Sequence, residues 1–159
     1  PHVADGPKLA DIGAGAGWFT IHLARRVGPN GVVYSQDVQR EMLEASKRRV
    51  QREGLQNVQT TRGEGSNPNL PVAGLDAIVV VDAYQEVEDR VTFLQNLARA
   101  LKPNGLIGVV NWKPGRGGPG PPENARVDKV SVTADVRAAR LRIVDEETLP
   151  YQYMLVLAK

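Results

Sequence analysis

The sequence contains no cysteine, which excludes disulfides, thiolate metal sites and a cysteine nucleophile. Its two histidines, His2 and His22, are too few for a histidine-rich metal centre, so we predict no metal site. It also has no apolar run near the roughly 18 residues that a membrane-spanning helix needs. We therefore expect neither a bound metal nor a membrane partner.

The charge balance is nearly even. Twenty basic and eighteen acidic residues leave a formal net charge of +2, too small a surplus to predict a nucleic-acid partner. The amino-terminal residues lack the basic leader and apolar stretch of a secretory signal, so we expect a cytoplasmic protein. A chain of 159 residues with 42% apolar and 24% charged residues predicts one globular domain over residues 1–159.

Short apolar runs alternate with segments of helical periodicity along most of the chain. The runs predict strands at 8–12, 32–36, 58–62, 76–81, 105–110, 141–149 and 151–158. The periodic segments predict helices at 18–27, 39–53, 86–101 and 125–140. This alternation is typical of a parallel sheet with helices on both faces, so we predict a three-layer α/β sandwich.

Two segments depart from the alternation. The last two runs are separated only by Pro150, and a parallel crossover needs a dozen or more residues, so they must form an antiparallel hairpin. Residues 113–124 hold four glycines and four prolines, which predicts a loop or a mobile flap.

A glycine-rich turn, Asp11-Ile-Gly13-Ala-Gly15-Ala-Gly17, joins the first predicted strand to the first helix. Glycine lets the backbone turn sharply and lets a ligand approach main-chain atoms. The free N–H groups at the start of the helix face the crevice at the carboxyl ends of the strands. The turn therefore predicts a ligand site, in preference to a tight turn that binds nothing.

Two cofactors suit such a turn, and the spacing separates them. A dinucleotide site needs Gly-x-Gly-x-x-Gly, whose third glycine allows close helix packing beside the pyrophosphate. Counted from Gly13 that position is Trp18, and counted from Gly15 it is Thr20. A large indole contradicts the role, so an NAD-dependent oxidoreductase is the less favoured alternative.

The pattern Asp-x-Gly-x-Gly-x-Gly resembles the first motif of class I S-adenosylmethionine-dependent methyltransferases. The resemblance extends from Leu9 to the last strand, and within the family the chain is most similar to the small-molecule branch, in the group called methyltransferase type 11 or its near relatives. The resemblance implies a Rossmann-like, mostly parallel seven-stranded sheet in the order 3-2-1-4-5-7-6 with strand 7 antiparallel. Right-handed crossovers on either side of strand 1 favour the same order. The resemblance also implies S-adenosylmethionine as cofactor, S-adenosylhomocysteine as product, and an unidentified small-molecule acceptor.

The resemblance also implies which residues bind the cofactor. Asp37, after the second strand, matches the acid on the ribose hydroxyls, although it is also placed to cap the next helix. Glu64 matches the acid near the adenine amino group, with a solvated loop acid as its alternative, and Asp82 matches the position beside the methionine part. The predicted cofactor-binding residues are Asp11, Gly13, Ala14, Gly15, Gly17, Asp37, Val38, Glu64, Gly65 and Asp82.

Two short segments support this branch of the family, Asp82-Ala-Tyr84-Gln85-Glu86 and Leu149-Pro-Tyr-Gln-Tyr153. Many similar sequences have a histidine where Gln85 stands, and glutamine cannot act as a general base. We therefore predict Glu86 as the acid–base group, with Asp82 second, and Tyr84 as the residue that orients the acceptor.

Only residues 1–7 precede the first predicted strand, where class I enzymes usually build lid helices. The remaining acceptor wall would come from 84–88 and 113–124. We expect an open pocket, a homodimer that closes it, or a truncated version of the domain. The missing lid and Gln85 also favour an alternative function, a non-catalytic S-adenosylmethionine-binding or scaffold domain.

Overall fold

The computed structural model describes residues 6–159; residues 1–5, which include His2 and the start of the predicted domain, lie outside the described residues. The strands are β1 Lys8–Ile12, β2 Val32–Asp37, β3 Val58–Arg62, β4 Leu75–Val81, β5 Leu101–Trp112, β6 Arg142–Thr148 and β7 Gln152–Ala158. The α helices are α1 Trp18–Val27, α2 Arg40–Arg52, α3 Arg90–Ala100 and α4 Lys129–Ala138. No helix among these residues is long and apolar enough to cross a membrane.

All seven strands join one sheet in the order β3-β2-β1-β4-β5-β7-β6. Strands β1 to β5 are parallel to one another, and β7 pairs antiparallel with both β5 and β6. The predicted order and the antiparallel last strand are therefore confirmed. The chain winds in opposite directions from β1 and β4, so the switch point lies between their carboxyl ends.

The helices flank the sheet as two pairs, because α1 contacts α2 and α3 contacts α4. The main core lies where α3 and α4 cover the sheet, and the side chains of Ile78, Leu94 and Leu155 are fully buried there. On the other face, Asp11 and Ser35 are buried polar residues beneath the first helix pair. One face is thus an apolar core, while the other carries a polar cluster next to the glycine turn.

Three element boundaries differ from the sequence prediction by four residues. Helix α3 begins at Arg90 rather than at residue 86, because the Asp89 side chain accepts a hydrogen bond from Thr92 N and caps the helix. Asp128 caps α4 in the same way, so that helix begins at Lys129 rather than at residue 125. Strand β5 begins four residues early, and a shift in its register against β4 accommodates the predicted turn before residue 105.

Candidate cofactor site

A cavity of about 680 Å³ opens at the carboxyl ends of β1, β2 and β4. Gly13 and Gly15 line it after β1, Asp37 and Val38 after β2, and Asp82 after β4. Apolar side chains complete part of the wall, namely Ile12, Met42, Val87 and Phe93. A crevice at the topological switch point is where open α/β sheets bind ligands. Gly65 lines the same cavity, so six of the ten predicted cofactor-binding residues are brought together here.

The three glycines of the turn share a backbone conformation but differ in what surrounds them. Gly13, Gly15 and Gly17 have φ angles of 67°, 56° and 82°, in the left-handed region that favours glycine. A Cβ on Gly13 would lie 2.5 Å from Ala83 Cβ, and one on Gly17 would lie 2.5 Å from Ser46 Oγ. A Cβ on Gly15 would meet no protein atom within 4 Å. Gly15 is therefore the glycine whose missing side chain leaves room for a ligand.

Asp37 connects the turn to the end of β2. Its side chain is only 8% exposed, and its two carboxylate oxygens accept main-chain hydrogen bonds from Gly15 N and Gln39 N, both at 2.9 Å. Helix α2 begins at Arg40 with no side-chain cap from Gln39, so Asp37 lies ahead of the cap position. Each carboxylate oxygen has a second lone pair, which leaves Asp37 able to accept hydroxyl groups from the cavity.

Asp82 is held by two glutamine side chains. Its φ is 54°, and Gln152 Nε2 donates to both carboxylate oxygens at 2.9 and 3.0 Å. Gln85 Nε2 donates to the Asp82 carbonyl oxygen at 2.6 Å. Burial raises the pKa of the Asp82 carboxyl, and the hydrogen bond from Gln152 lowers it. The Gln152 contact was not predicted, because 70 residues of sequence separate the two side chains.

The structure corrects the prediction for Asp11, which is buried and does not line the cavity. Its Oδ2 accepts a hydrogen bond of 2.8 Å from Thr20 Oγ1, and a chain of hydroxyl contacts continues through Ser35 to Ser46. Burial raises the pKa of Asp11 to about 6, the Thr20 bond lowers it, and the nearby charge of Asp37 raises it further. Asp11 therefore supports the turn from below.

Three other predicted residues also lie off the cavity wall. Glu64 is exposed and its main chain pairs with Asn67, while Gly65 and Ser66 form the wall beside it. Ala14 N donates to the carbonyl oxygen of a β2 residue at 2.8 Å. Gly17 is the N-cap residue of α1. Ala14 and Gly17 therefore belong to the turn and Glu64 to the loop after β3, and none of the three lines the cavity.

The two predicted catalytic residues have different positions. The exposed Glu86 lines the cavity, as the prediction requires. Tyr84 does not, since its side chain is fully buried and its hydroxyl donates to Asp135 Oδ2 at 2.6 Å. Burial and the Asp135 carboxylate both raise the pKa of Tyr84. Tyr84 is predicted to orient the acceptor, but the structure places its side chain in the core beside α4 and away from the cavity.

The cavity wall is strongly acidic. No lysine, arginine or histidine of residues 6–159 lines the cavity, whereas five carboxylates do, those of Asp37, Asp82, Glu86, Glu88 and Asp89. The sequence prediction missed the last two because it placed them in the first turn of α3. A cleft lined by one sign of charge attracts ligands of the opposite sign, so this cavity favours a cation and opposes a pyrophosphate. No cluster of potential metal-ligating side chains was found among the described residues.

The seven-stranded sheet, the glycine turn and the acidic residues after β2 and β4 are those of a class I methyltransferase fold. A family model described as a methyltransferase domain matches residues 9–105. The chain belongs to this methyltransferase domain family. That membership confirms the resemblance expected from the first motif.

Relatives with known names show the same relationship. The chain is 32% identical over 106 residues to a demethylmenaquinone methyltransferase of Geobacillus sp. (strain WCH70), covering 67% of this chain and 45% of that protein. It is 31% identical over 121 residues to nocamycin O-methyltransferase of Saccharothrix syringae, covering 76% and 41%. The chain thus spans less than half the length of these curated relatives. A crystal structure of a SAM-dependent methyltransferase from Aquifex aeolicus superposes with a TM-score of 0.90 at 28% identity, covering 95% of this chain and 81% of that one.

Proposed function

We propose that this chain transfers a methyl group from S-adenosylmethionine to a small-molecule acceptor. The observation that carries the proposal is that Gly15, Asp37 and Asp82 line one cavity at the switch point of the sheet. The residues present suit this cofactor. Gly15 leaves open space where a side chain would stand, and the two carboxylates suit hydroxyl and ammonium groups. The absence of basic groups from the described wall agrees with a ligand that has no phosphate.

Each end of the cofactor has a candidate partner in the chain. Asp37 would hold the ribose hydroxyls, since its buried carboxylate is already oriented by two main-chain donors. Asp82 would face the ammonium group of the methionine part. The main chain at Gly65 and Ser66 would border the adenine end, in place of the exposed Glu64 side chain.

When bound, S-adenosylmethionine supplies a methyl group on a sulfonium, which is already a good leaving group. The chain's contribution is therefore to orient the acceptor and to exclude water. Good orientation can lower the activation barrier of such a reaction by roughly 7–11 kcal/mol. Met42, Val87 and Phe93 provide the apolar part of the wall for this purpose. Glu86, which lines the same cavity, would accept a proton from an acceptor that must lose one.

The names of the relatives support a small-molecule acceptor, because the proteins named for demethylmenaquinone and nocamycin both act on small molecules. One observation favours the second candidate, a domain that binds the cofactor without catalysis. The Gln85 side chain is bound to the Asp82 carbonyl, and no histidine lines the described part of the cavity. The five carboxylates oppose the dinucleotide alternative.

Calorimetric titration of the chain with S-adenosylmethionine and, separately, with NAD tests the cofactor. We expect binding of S-adenosylmethionine alone, and binding of NAD alone would support an oxidoreductase. The chain is then incubated with S-adenosylmethionine and panels of phenols, amines and quinols, and S-adenosylhomocysteine is measured by mass spectrometry. Acceptor-dependent product supports the methyltransferase. Cofactor binding without product from any panel supports the non-catalytic domain.

A further inference from the structure

The segment Leu149-Pro-Tyr-Gln-Tyr153 forms the turn between β6 and β7 and the start of β7. Leu149 N donates to Gln152 O at 2.9 Å, which closes the turn. The carbonyl oxygen of Tyr151 accepts from Lys113 N, and the Tyr153 hydroxyl donates to Val127 O at 2.6 Å. The Gln152 side chain reaches the Asp82 carboxylate, which lines the cofactor cavity.

Gln152 is the side chain that orients the Asp82 carboxylate. Its single amide nitrogen lies 2.9 Å from Oδ1 and 3.0 Å from Oδ2, so one donor serves both oxygens. The Asp82 main chain is fixed separately, because its N–H donates to Val110 O at 2.9 Å. The register places Gln152 directly opposite Trp112 at the carboxyl end of β5. Its strand, β7, lies two strands away from β4, the strand that Asp82 follows.

We infer that Gln152 is a positioning residue, which fixes the direction of the Asp82 carboxylate towards the ammonium group of the cofactor. The inference rests on the proposed function, since it assigns the last strand a role in the same site. An amide donor favours the charged form of a carboxylate, and so opposes the effect of partial burial. Only the ionised carboxylate attracts an ammonium group strongly.

Other charged groups near Asp82 do not replace this donor. Asp37 faces the same cavity from β2, and Glu86, Glu88 and Asp89 face it from the segment after β4. At the end of β5 and in the turn before β7, the titratable residues nearest in sequence to Trp112 and Gln152 are Lys113 and Tyr151. Within residues 6–159 none of these groups makes a hydrogen bond or an ion pair with the Asp82 carboxylate. Removal of the Gln152 amide should therefore change the titration of Asp82 directly.

The test compares the parent chain with Gln152→Leu and Gln152→Glu. The Asp82 carboxyl is titrated by carbon NMR without ligand, and S-adenosylmethionine affinity is measured by calorimetry across the same pH range. We expect both variants to raise the pKa of Asp82 and to shift the acid limb of binding to higher pH. The glutamate should have the larger effect because it adds a like charge. At neutral pH we expect Gln152→Leu to weaken binding by about tenfold, the scale of a lost hydrogen bond to a charged group.

Gln59→Leu is the matched control, because Gln59 is exposed on β3 at the opposite edge of the sheet. It should change neither the titration nor the affinity. If Gln152→Leu lowers the melting temperature but leaves both pH profiles unchanged, Gln152 merely supports the hairpin and the inference is overturned. If the parent chain binds no S-adenosylmethionine, the proposed function fails. The ligand-free titration of Asp82 then decides by itself whether Gln152 keeps this carboxylate charged.

Discussion

Asp37 Oδ2 accepts a hydrogen bond from Gly15 N at 2.9 Å, across 22 residues of sequence. The contact joins the end of β2 to the middle of the glycine turn. Because a positive φ at Gly15 directs its N–H at the carboxylate, the glycine and the acid depend on each other for their positions. A ligand that contacts either residue therefore meets a site that is ordered before it binds.

Replacement of Asp37 by alanine should weaken S-adenosylmethionine binding by roughly 1.5–3 kcal/mol, the value of lost charge-assisted hydrogen bonds. Calorimetric titration measures the change, and Asp145→Ala on the exposed strand β6 is the control. The free energy of unfolding should also fall, because Gly15 N and Gln39 N lose their acceptor. Unchanged affinity together with lower stability would assign Asp37 to the support of the turn alone.

Gly15→Ala should abolish binding of S-adenosylmethionine. The added methyl would meet no protein atom within 4 Å, so it would project into the space assigned to the cofactor. Its positive φ should also cost about 1 kcal/mol in the free energy of unfolding. Gly54→Ala is the matched control, since Gly54 has a φ of 67° and equally open surroundings outside the cavity. Both variants should lose similar stability, and binding should fail only for Gly15→Ala. Normal binding by Gly15→Ala would contradict the placement of the cofactor on this turn.

Local patterns in the sequence were sufficient for the sheet and for the residues that line the cavity after β1, β2 and β4. The strand, glycine turn and helix from Lys8 to Val27 are contiguous, so periodicity and glycine spacing define them together. Asp37 and Asp82 follow strands whose carboxyl ends must meet at one edge of a parallel sheet. Their place on the cavity wall therefore followed from the topology.

The position of Tyr84 depends on a contact between distant residues, which local patterns do not specify. Tyr84 is buried because Asp135, 51 residues later, accepts its hydroxyl. Helix α3 begins at Arg90 because the capping hydrogen bond is accepted by the side chain of Asp89 and not by that of an earlier acidic residue. The first residues of the predicted helix, 86–89, therefore lie outside the helix and contribute Glu86, Glu88 and Asp89 to the cavity wall.

Asp11 should make the stability of the chain depend on pH. Its pKa of about 6 lies above the usual range, so the folded chain binds more protons than the unfolded chain from about pH 4 to about pH 6. The free energy of unfolding should therefore fall as the pH rises through that window. The asparagine side chain in Asp11→Asn is neutral at every pH. The free energy of unfolding of this variant, relative to that of the parent, should therefore rise by about 3 kcal/mol between about pH 4 and about pH 7.

Urea unfolding at each pH measures this difference, and Asp76→Asn provides a control of opposite sign. The Lys8 N–H and Lys102 lower the pKa of the Asp76 carboxyl. The stability that Asp76 contributes is therefore present at neutral pH and is lost as the pH falls. If the difference between Asp11→Asn and the parent does not vary with pH, then the pKa of Asp11 is the same in the folded and unfolded chains, and burial does not raise it.

The acidic cavity should distinguish the cofactor from its product by charge. S-adenosylmethionine carries a sulfonium that S-adenosylhomocysteine lacks, and five carboxylates line the described wall. Salt screens such attraction over about 8–10 Å at physiological ionic strength. Calorimetry from low to high salt should therefore show a greater loss of affinity for S-adenosylmethionine than for S-adenosylhomocysteine. Glu88→Gln should reduce this difference, and an equal response of both ligands to salt would contradict an electrostatic role for the wall.

The glycine- and proline-rich loop after β5 is held by one arginine. The Arg126 guanidinium donates at 3.0–3.3 Å to five carbonyl oxygens, those of Lys113, Gly115, Gly117, Pro119 and Pro121. The loop leaves β5 at the carboxyl edge of the sheet, the edge that also holds the cavity. A planar guanidinium can serve several acceptors at once, which a methionine side chain cannot. We therefore expect Arg126→Met to release the loop.

Limited digestion with trypsin measures that release. Arg116 is fully exposed within the loop and is followed by glycine, whereas Lys113 is followed by proline, so cleavage after Arg116 reports an open loop. In Arg126→Met this cleavage should accelerate by about tenfold, because the loss of several hydrogen bonds raises the population of open loop by at least that factor. Arg137→Met on the exposed side of α4 is the control, since Arg137 makes no side-chain hydrogen bond within residues 6–159. Equal cleavage rates in the parent and in Arg126→Met would mean that the prolines alone order the loop. A faster rate confined to Arg126→Met would show that one side chain sets the shape of the proposed acceptor wall.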